Sequence, residues 1–136
     1  MPKHIDIALY RPTSASGFMA GHSASLANDG NRATAWFAPE GERDPWWQVD
    51  LEGEFDIKNV SVTFPVHGPI RARLRLSRNA RTWSPSEEIK LPGGSRTADI
   101  LLPHPKRARF VRITLVHAPP DGRGISEVVI HGKVAD

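Results

Sequence analysis

At 136 residues and a formal net charge of +3, the chain has the size of one domain and can bury roughly two thirds of its unfolded surface in one core. It contains no cysteine, which excludes disulfides and thiolate metal sites. Eighteen Lys and Arg stand against fifteen Asp and Glu, and without an aromatic platform motif that near balance does not argue for nucleic acid as a partner.

Twelve prolines and eleven glycines are spread along the whole length, leaving room for strands and loops and little for long helices. The opening "MPKHIDIALY" lacks the apolar run, roughly 7 to 15 residues long, of a secretory signal, and no apolar segment approaches the ~20 residues of a membrane span. A first strand is expected over residues 5–9. "SASLAND", residues 23–29, suits a single helical turn that needs packing to stand. Strands follow over residues 46–51 and 57–64. In "ARLRLS" Ala72, Leu74 and Leu76 alternate with Arg71, Arg73 and Arg75, the pattern of a half-buried strand. Further strands are expected over 87–91, 97–102, 108–116 and 125–132. Segments 64–70, 90–96, 102–108 and 117–124 carry prolines, which cannot donate in a ladder, and are read as loops. About eight antiparallel strands separated by such loops indicate an all-β sandwich whose loops gather at its ends, where a ligand site is built. Trp46, Trp47 and Trp83 fall within or beside strands and are assigned to packing, and Trp36 to capping the core.

The stretch "LANDGNRATAW", 26–36, concentrates Asn28, Asp29, Gly30, Asn31 and Thr34. It reads either as a polar turn rich in turn-formers or as a loop of hard oxygens for a cation such as calcium, which takes six to eight of them at about 2.3–2.6 Å. Motifs for an activated nucleophile, a zinc-protease helix or a phosphate loop are absent, and the histidines at 4, 22, 67, 104, 117 and 131 are scattered singly. No enzymatic activity is expected. Arg71, Arg73 and Arg75, joined by Lys106, Arg107, Arg109 and Arg112, form either a solvated row or a cationic face suited to uronate, sulfated glycan or lipid headgroups.

The segments "IALYRPTSAS", "ANDGNRATAWF", "WWQVDLEGEFDIKNVSVTF", "LRLSRNARTW", "ARFVRITL" and "ISEVVIHG" follow one another in the order of the discoidin family. The chain thus resembles the F5/8 type C domain, which overlaps carbohydrate-binding module family 32. The resemblance implies a jelly-roll β-sandwich of galactose-binding type, one domain over residues 1–136 with its core at about 7–132. It implies no catalytic activity, and a place in a larger secreted or cell-surface chain. The sequence departs from the family pattern in "VDLEGEF", where Glu52 precedes Gly53, in "SRNAR" at 77–81, and in lacking the cysteines of the animal members.

In that family a structural calcium ties an early loop to the last strand. Carried over by position, its ligands are Leu26, Asp29, Asn31, Thr34, the Ser126 carbonyl and the Glu127 carboxylate. The resemblance also points to a ligand site drawn from Phe37, His67, Arg71, Asp121 and Arg123. The last loop lacks an aromatic residue for stacking on a sugar, so that role falls to Phe37 or Phe18. Phe37 also reads as core, and His67 and Arg71 as solvated loop residues. The expected partner is a glycan or polysaccharide and the expected state a monomer. Two alternatives use the same loops: a peripheral membrane module inserting Phe18 and Met19 of "SGFMAGH" with arginine help, and a protein adhesion module.

Overall fold

In the computed structural model, which describes residues 5–135, the chain forms strands β1 (Thr13–Ala15), β2 (Trp36–Phe37), β3 (Trp46–Thr63), β4 (Ile70–Ser77), β5 (Glu87–Leu91), β6 (Thr97–His117), β7 (Gly124–Ile125) and β8 (Glu127–Val134). Two 3₁₀ turns, Ala24–Ala27 and Pro120–Gly122, are the only helical elements among the described residues. All strand pairings are antiparallel. His4 lies outside the described residues.

The ladder is organised around two long strands. β3 pairs with β6 along one edge and, on the other, with β1 near its start and β8 over its second half. β6 in turn pairs with β4, and β4 with β5. The β3–β6 register shifts between Asp50 and Phe55 and again between Ile57 and Asn59. Irregularities of this kind let strands bend from one layer into the other. Trp47, Val49 and Leu51 of the first half of β3 and Ile57, Val60 and Val62 of the second half all enter one buried cluster, so the two halves face each other across a common core. Trp36 and Trp47 are fully buried there, and their indole N–H groups donate to the carbonyls of Gly17 and Ala24, each at 2.9 Å. Two large apolar faces are thus buried with no lost donor.

Several boundaries differ from expectation for identifiable reasons. Residues 5–9 form a turn rather than a strand. Asp6 Oδ1 accepts the amides of Ala8 at 2.9 Å and Ile130 at 3.0 Å, which curls the segment, and only Asp6 bridges β8, opposite His131. The expected strands 46–51 and 57–64 are one strand, as are 97–102 and 108–116. Segment 102–108 is therefore not a loop. Pro103 and Pro105 sit in the register gap between Leu101, opposite Asn59, and Lys106, opposite Ile57, where no ladder donor is required. The segment 125–132 is split between β7 and β8 at Ser126, whose amide turns to the Thr63 carbonyl at 2.8 Å. β1 and β2, only three and two residues long, were too short to show a period.

Candidate functional site

Two features lie at the loop-bearing rim: an oxygen-rich loop closed by β8, and a cleft walled by Phe37.

The oxygen-rich loop follows the first 3₁₀ turn. Asn28 is buried, and its amide donates to the carbonyls of Ala8 at 2.8 Å and Arg11 at 2.9 Å, anchoring the loop to the start of the chain. Asp29 Oδ1 accepts the Asn31 amide at 3.0 Å and Asn31 Oδ1 the Ala33 amide at 2.9 Å, so each side chain closes its own short turn. Thr34 Oγ1 then lies 2.6 Å from Asp29 Oδ2, 2.9 Å from the Asn31 carbonyl and 3.3 Å from the Leu26 carbonyl. A hydroxyl has one proton to give, yet three acceptors converge on it.

Glu127 closes this cluster from β8. Its Oε2 accepts the Gly30 amide at 3.1 Å, across 97 positions of sequence. Its Oε1 is buried without any hydrogen-bond partner. Burial, offset in part by the Gly30 amide and reinforced by the charges of Asp29 and Asp6, pushes the Glu127 carboxyl up to about 7. Two carboxylates, two carbonyls and a hydroxyl thus meet, a donor set that fits a hard divalent ion. Leu26, Asp29, Asn31, Thr34 and Glu127 are brought together; Ser126 is buried next to them and, with Leu26 and Thr34, lines an adjoining cleft of about 580 Å³. Among the described residues no group of three or more His, Cys, Asp or Glu side chains is arranged to hold a metal. An ion here would be held by mixed backbone and side-chain oxygens.

The larger cleft, about 810 Å³, opens beside Phe37, with Met19, Glu42, Asp44, His117 and Asp121 among its lining residues. Phe37 is held half-buried by pairing with Gly124 across β2–β7 and by an edge-to-face contact with His22, centroids 4.9 Å apart. Its wall is the loop 39–45. Arg123 braces that loop by donating through Nη1 to the Pro39 carbonyl at 2.9 Å and through Nη2 to the Glu42 carbonyl. Ser16 Oγ donates to Glu42 Oε1 at 2.7 Å and accepts the Trp46 amide at 2.9 Å, tying the same loop to β3.

Of the residues expected to bind ligand, Phe37, Asp121 and Arg123 share this cleft, Asp121 exposed on the second 3₁₀ turn and Arg123 engaged with the loop backbone. Phe18 is 56% exposed outside it, next to Met19, which lines it. His67 and Arg71 are exposed and do not line it. Arg71 stands opposite His117 in the β4–β6 ladder and has Glu88 at 3.9 Å. Glu42, Asp44 and His117 were not singled out from the sequence. The available signal was the density of charge in "PEGERDP", 39–45, bounded by two prolines.

The model of the F5/8 type C domain family matches residues 12–129. No curated protein matches the chain. Among solved structures, chitosan-binding module 1 of a chitosanase/glucanase from Paenibacillus sp. IK-5 is 25% identical, with a TM-score of 0.78 covering 95% of this chain and 100% of that one. A fucose-binding module of Streptococcus pneumoniae is 18% identical, TM-score 0.80, covering 94% and 95%. The family 32 carbohydrate-binding module of NanJ from C. perfringens, solved with galactose, is 17% identical, TM-score 0.78, covering 88% and 91%.

Proposed function

The chain belongs to the F5/8 type C domain family, and from that premise we propose that it is a non-catalytic glycan-binding module that brings an attached enzyme or surface protein, secreted or at the cell surface, to its polysaccharide. The observation that carries this reading is the cleft of about 810 Å³ beside Phe37. An aromatic side chain for the C–H face of a sugar stands there among carboxylates and an imidazole suited to hydroxyls, the combination that sugar sites require. Arg123 and Ser16 pre-order the 39–45 wall, so little entropy is lost on binding. The chitosan, fucose and galactose ligands in the names of its structural relatives point the same way. Glycan-array binding of the domain, repeated with Phe37→Ala, tests it: binding that persists in 0.5 M salt and falls at least tenfold in the variant is expected, and an array without signal overturns it.

The oxygen cluster suits a structural calcium held by Leu26, Asp29, Asn31, Thr34, Ser126 and Glu127. Such an ion would neutralise the crowded acids and join the first loop to the last strand, as a disulfide does elsewhere.

A second reading rests on Phe18 and Met19, 56% and 45% exposed on neighbouring positions. Two such side chains suit shallow insertion between lipid headgroups. Pelleting with anionic liposomes that is lost in Phe18→Ser supports this role, and absence of pelleting removes it.

A further inference from the structure

On the face of the sheet turned away from the core, Arg112 lies between two tryptophans. Its guanidinium carbon is 4.0 Å from the Trp46 ring centroid and 4.6 Å from that of Trp83. Attraction to two rings restrains the guanidinium. Its Nε donates to Gln48 Oε1 at 3.0 Å, which leaves the terminal nitrogens as donors for something else. Arg75 stands directly opposite Arg112 in the β4–β6 ladder, and like charges facing one another across strands cost stability. Burial and the Arg75 charge both hold the Arg112 guanidinium below its usual value.

Several neighbouring arginines have acid partners. Glu88 takes Arg73 at 3.3 Å and Arg71 at 3.9 Å, Asp56 takes Arg107 at 3.6 Å, and Asp50 takes Arg109 at 2.7 Å. Among the described residues, Arg75 and Arg112 have no carboxylate partner.

We propose that Arg75 and Arg112, framed by Trp46 and Trp83, form a second binding surface that takes a carboxylate-bearing glycan chain. The surface shares no residue with the loop cleft, so it stands or falls separately from the neutral-sugar reading of that cleft. A guanidinium held near two aromatic rings with its terminal nitrogens uncommitted can take a carboxylate with two parallel hydrogen bonds. Acids pair with several of the surrounding cations, so the free charge on this face is sparse. That suits a chain of spaced uronates rather than a nucleic acid, whose phosphates carry about one charge per 1.7 Å of duplex.

The test is calorimetric titration of the intact domain with oligogalacturonate and with its fully methyl-esterified, uncharged counterpart, alongside heparin and duplex DNA at equal salt. Selective binding of the free carboxylate form is expected, weakened at least tenfold in Arg75→Gln, an exposed position, and in Arg112→Lys, which keeps the charge and loses the fork. Melting temperatures matching the parent establish that both variants are folded. Array binding at the cleft is unchanged in Arg75→Gln. Equal affinity for the esterified chain, tighter binding of heparin or DNA, or undiminished binding by either variant overturns the proposal. Loss of neutral-sugar binding by Phe37→Ala bears only on the cleft.

Discussion

Glu127 Oε2 accepts the Gly30 amide at 3.1 Å while the buried Glu127 Oε1 has no partner. A buried acceptor left unmade costs about 1–3 kcal/mol, and a divalent cation bound there removes that cost. Calcium is therefore expected to stabilise the domain. At a hundredfold excess over Kd the gain is about 2.7 kcal/mol, which for a domain of this length is a rise in Tm of roughly 10 °C. Thermal melts in calcium and in chelator measure it, and Glu127→Gln is expected to abolish the difference. Identical melts in the two conditions remove the ion from the structure.

The same carboxyl makes the chelated protein sensitive to pH. Burial and the nearby Asp29 and Asp6 raise Glu127 to about 7 from an ordinary value of 4.5. The folded state thus binds this proton more tightly than the unfolded chain. Its contribution is complete below about 4.5 and is lost as pH rises through about 7. In chelator the Glu127 contribution should lower Tm between pH 5 and pH 7.5, and the parent minus Glu127→Gln difference isolates it. With calcium bound the carboxylate is the preferred form, so the decline should flatten or reverse. A parent and variant that respond identically to pH count against the assignment.

Arg123 gives a prediction about affinity rather than the ion. Its guanidinium is spent on the Pro39 and Glu42 carbonyls, so Arg123→Ala should free the 39–45 wall without removing a sugar contact. Each hydrogen bond made by a charged donor is worth about 1.5–3 kcal/mol; exposure of the loop to water brings the expected loss of stability to about 1–2 kcal/mol. Hydrogen exchange at 39–45 should accelerate and glycan affinity should fall with it. Arg123→Lys should recover little, because an ammonium cannot span two carbonyls as a planar fork does. Unchanged exchange in Arg123→Ala would show that the wall is held by other contacts.

How much of this was legible in the sequence depended on the range of the interaction. β4 was read almost to its ends because alternation in "ARLRLS" is local and set by one buried face. Residues 5–9 carry similarly apolar side chains, but Asp6 offers the backbone a competing acceptor, and a strand pattern became a turn. β6 runs through Pro103 and Pro105 because its partner leaves a gap at that register, information held in a distant part of the sequence, in β3. The oxygen cluster was named through the family resemblance, since nothing local joins Gly30 to Glu127. The cleft was half seen: Phe37 and Asp121 by residue type, whereas His117 looked like one more isolated histidine, and the commitment of Arg123 to two carbonyls depends on backbone directions that residue letters do not carry.

Gly124 is the position where fold and cleft meet most tightly. β2 and β7 pair only through Trp36 with Ile125 and Phe37 with Gly124, and this short ladder fixes the aromatic wall. A Cβ built on Gly124 would lie 2.1 Å from the Trp36 carbonyl oxygen and 2.9 Å from Phe37 Cδ1. The carbonyl belongs to a strand whose tryptophan is fully buried, so it cannot retreat without disturbing the core; Phe37, half exposed, can swing, but that relieves only the second contact, and the β2–β7 ladder must shift as well. Gly124→Ala is therefore expected to cost about 1–3 kcal/mol, the usual range for overpacking, and to displace the Phe37 ring into the cleft. Glycan affinity should then drop at temperatures where the variant is still fully folded. Calcium-dependent stabilisation should remain, because Gly30 and Glu127 are not touched. A variant that melts and binds like the parent would mean that the β2–β7 ladder opens easily and does not set the position of Phe37.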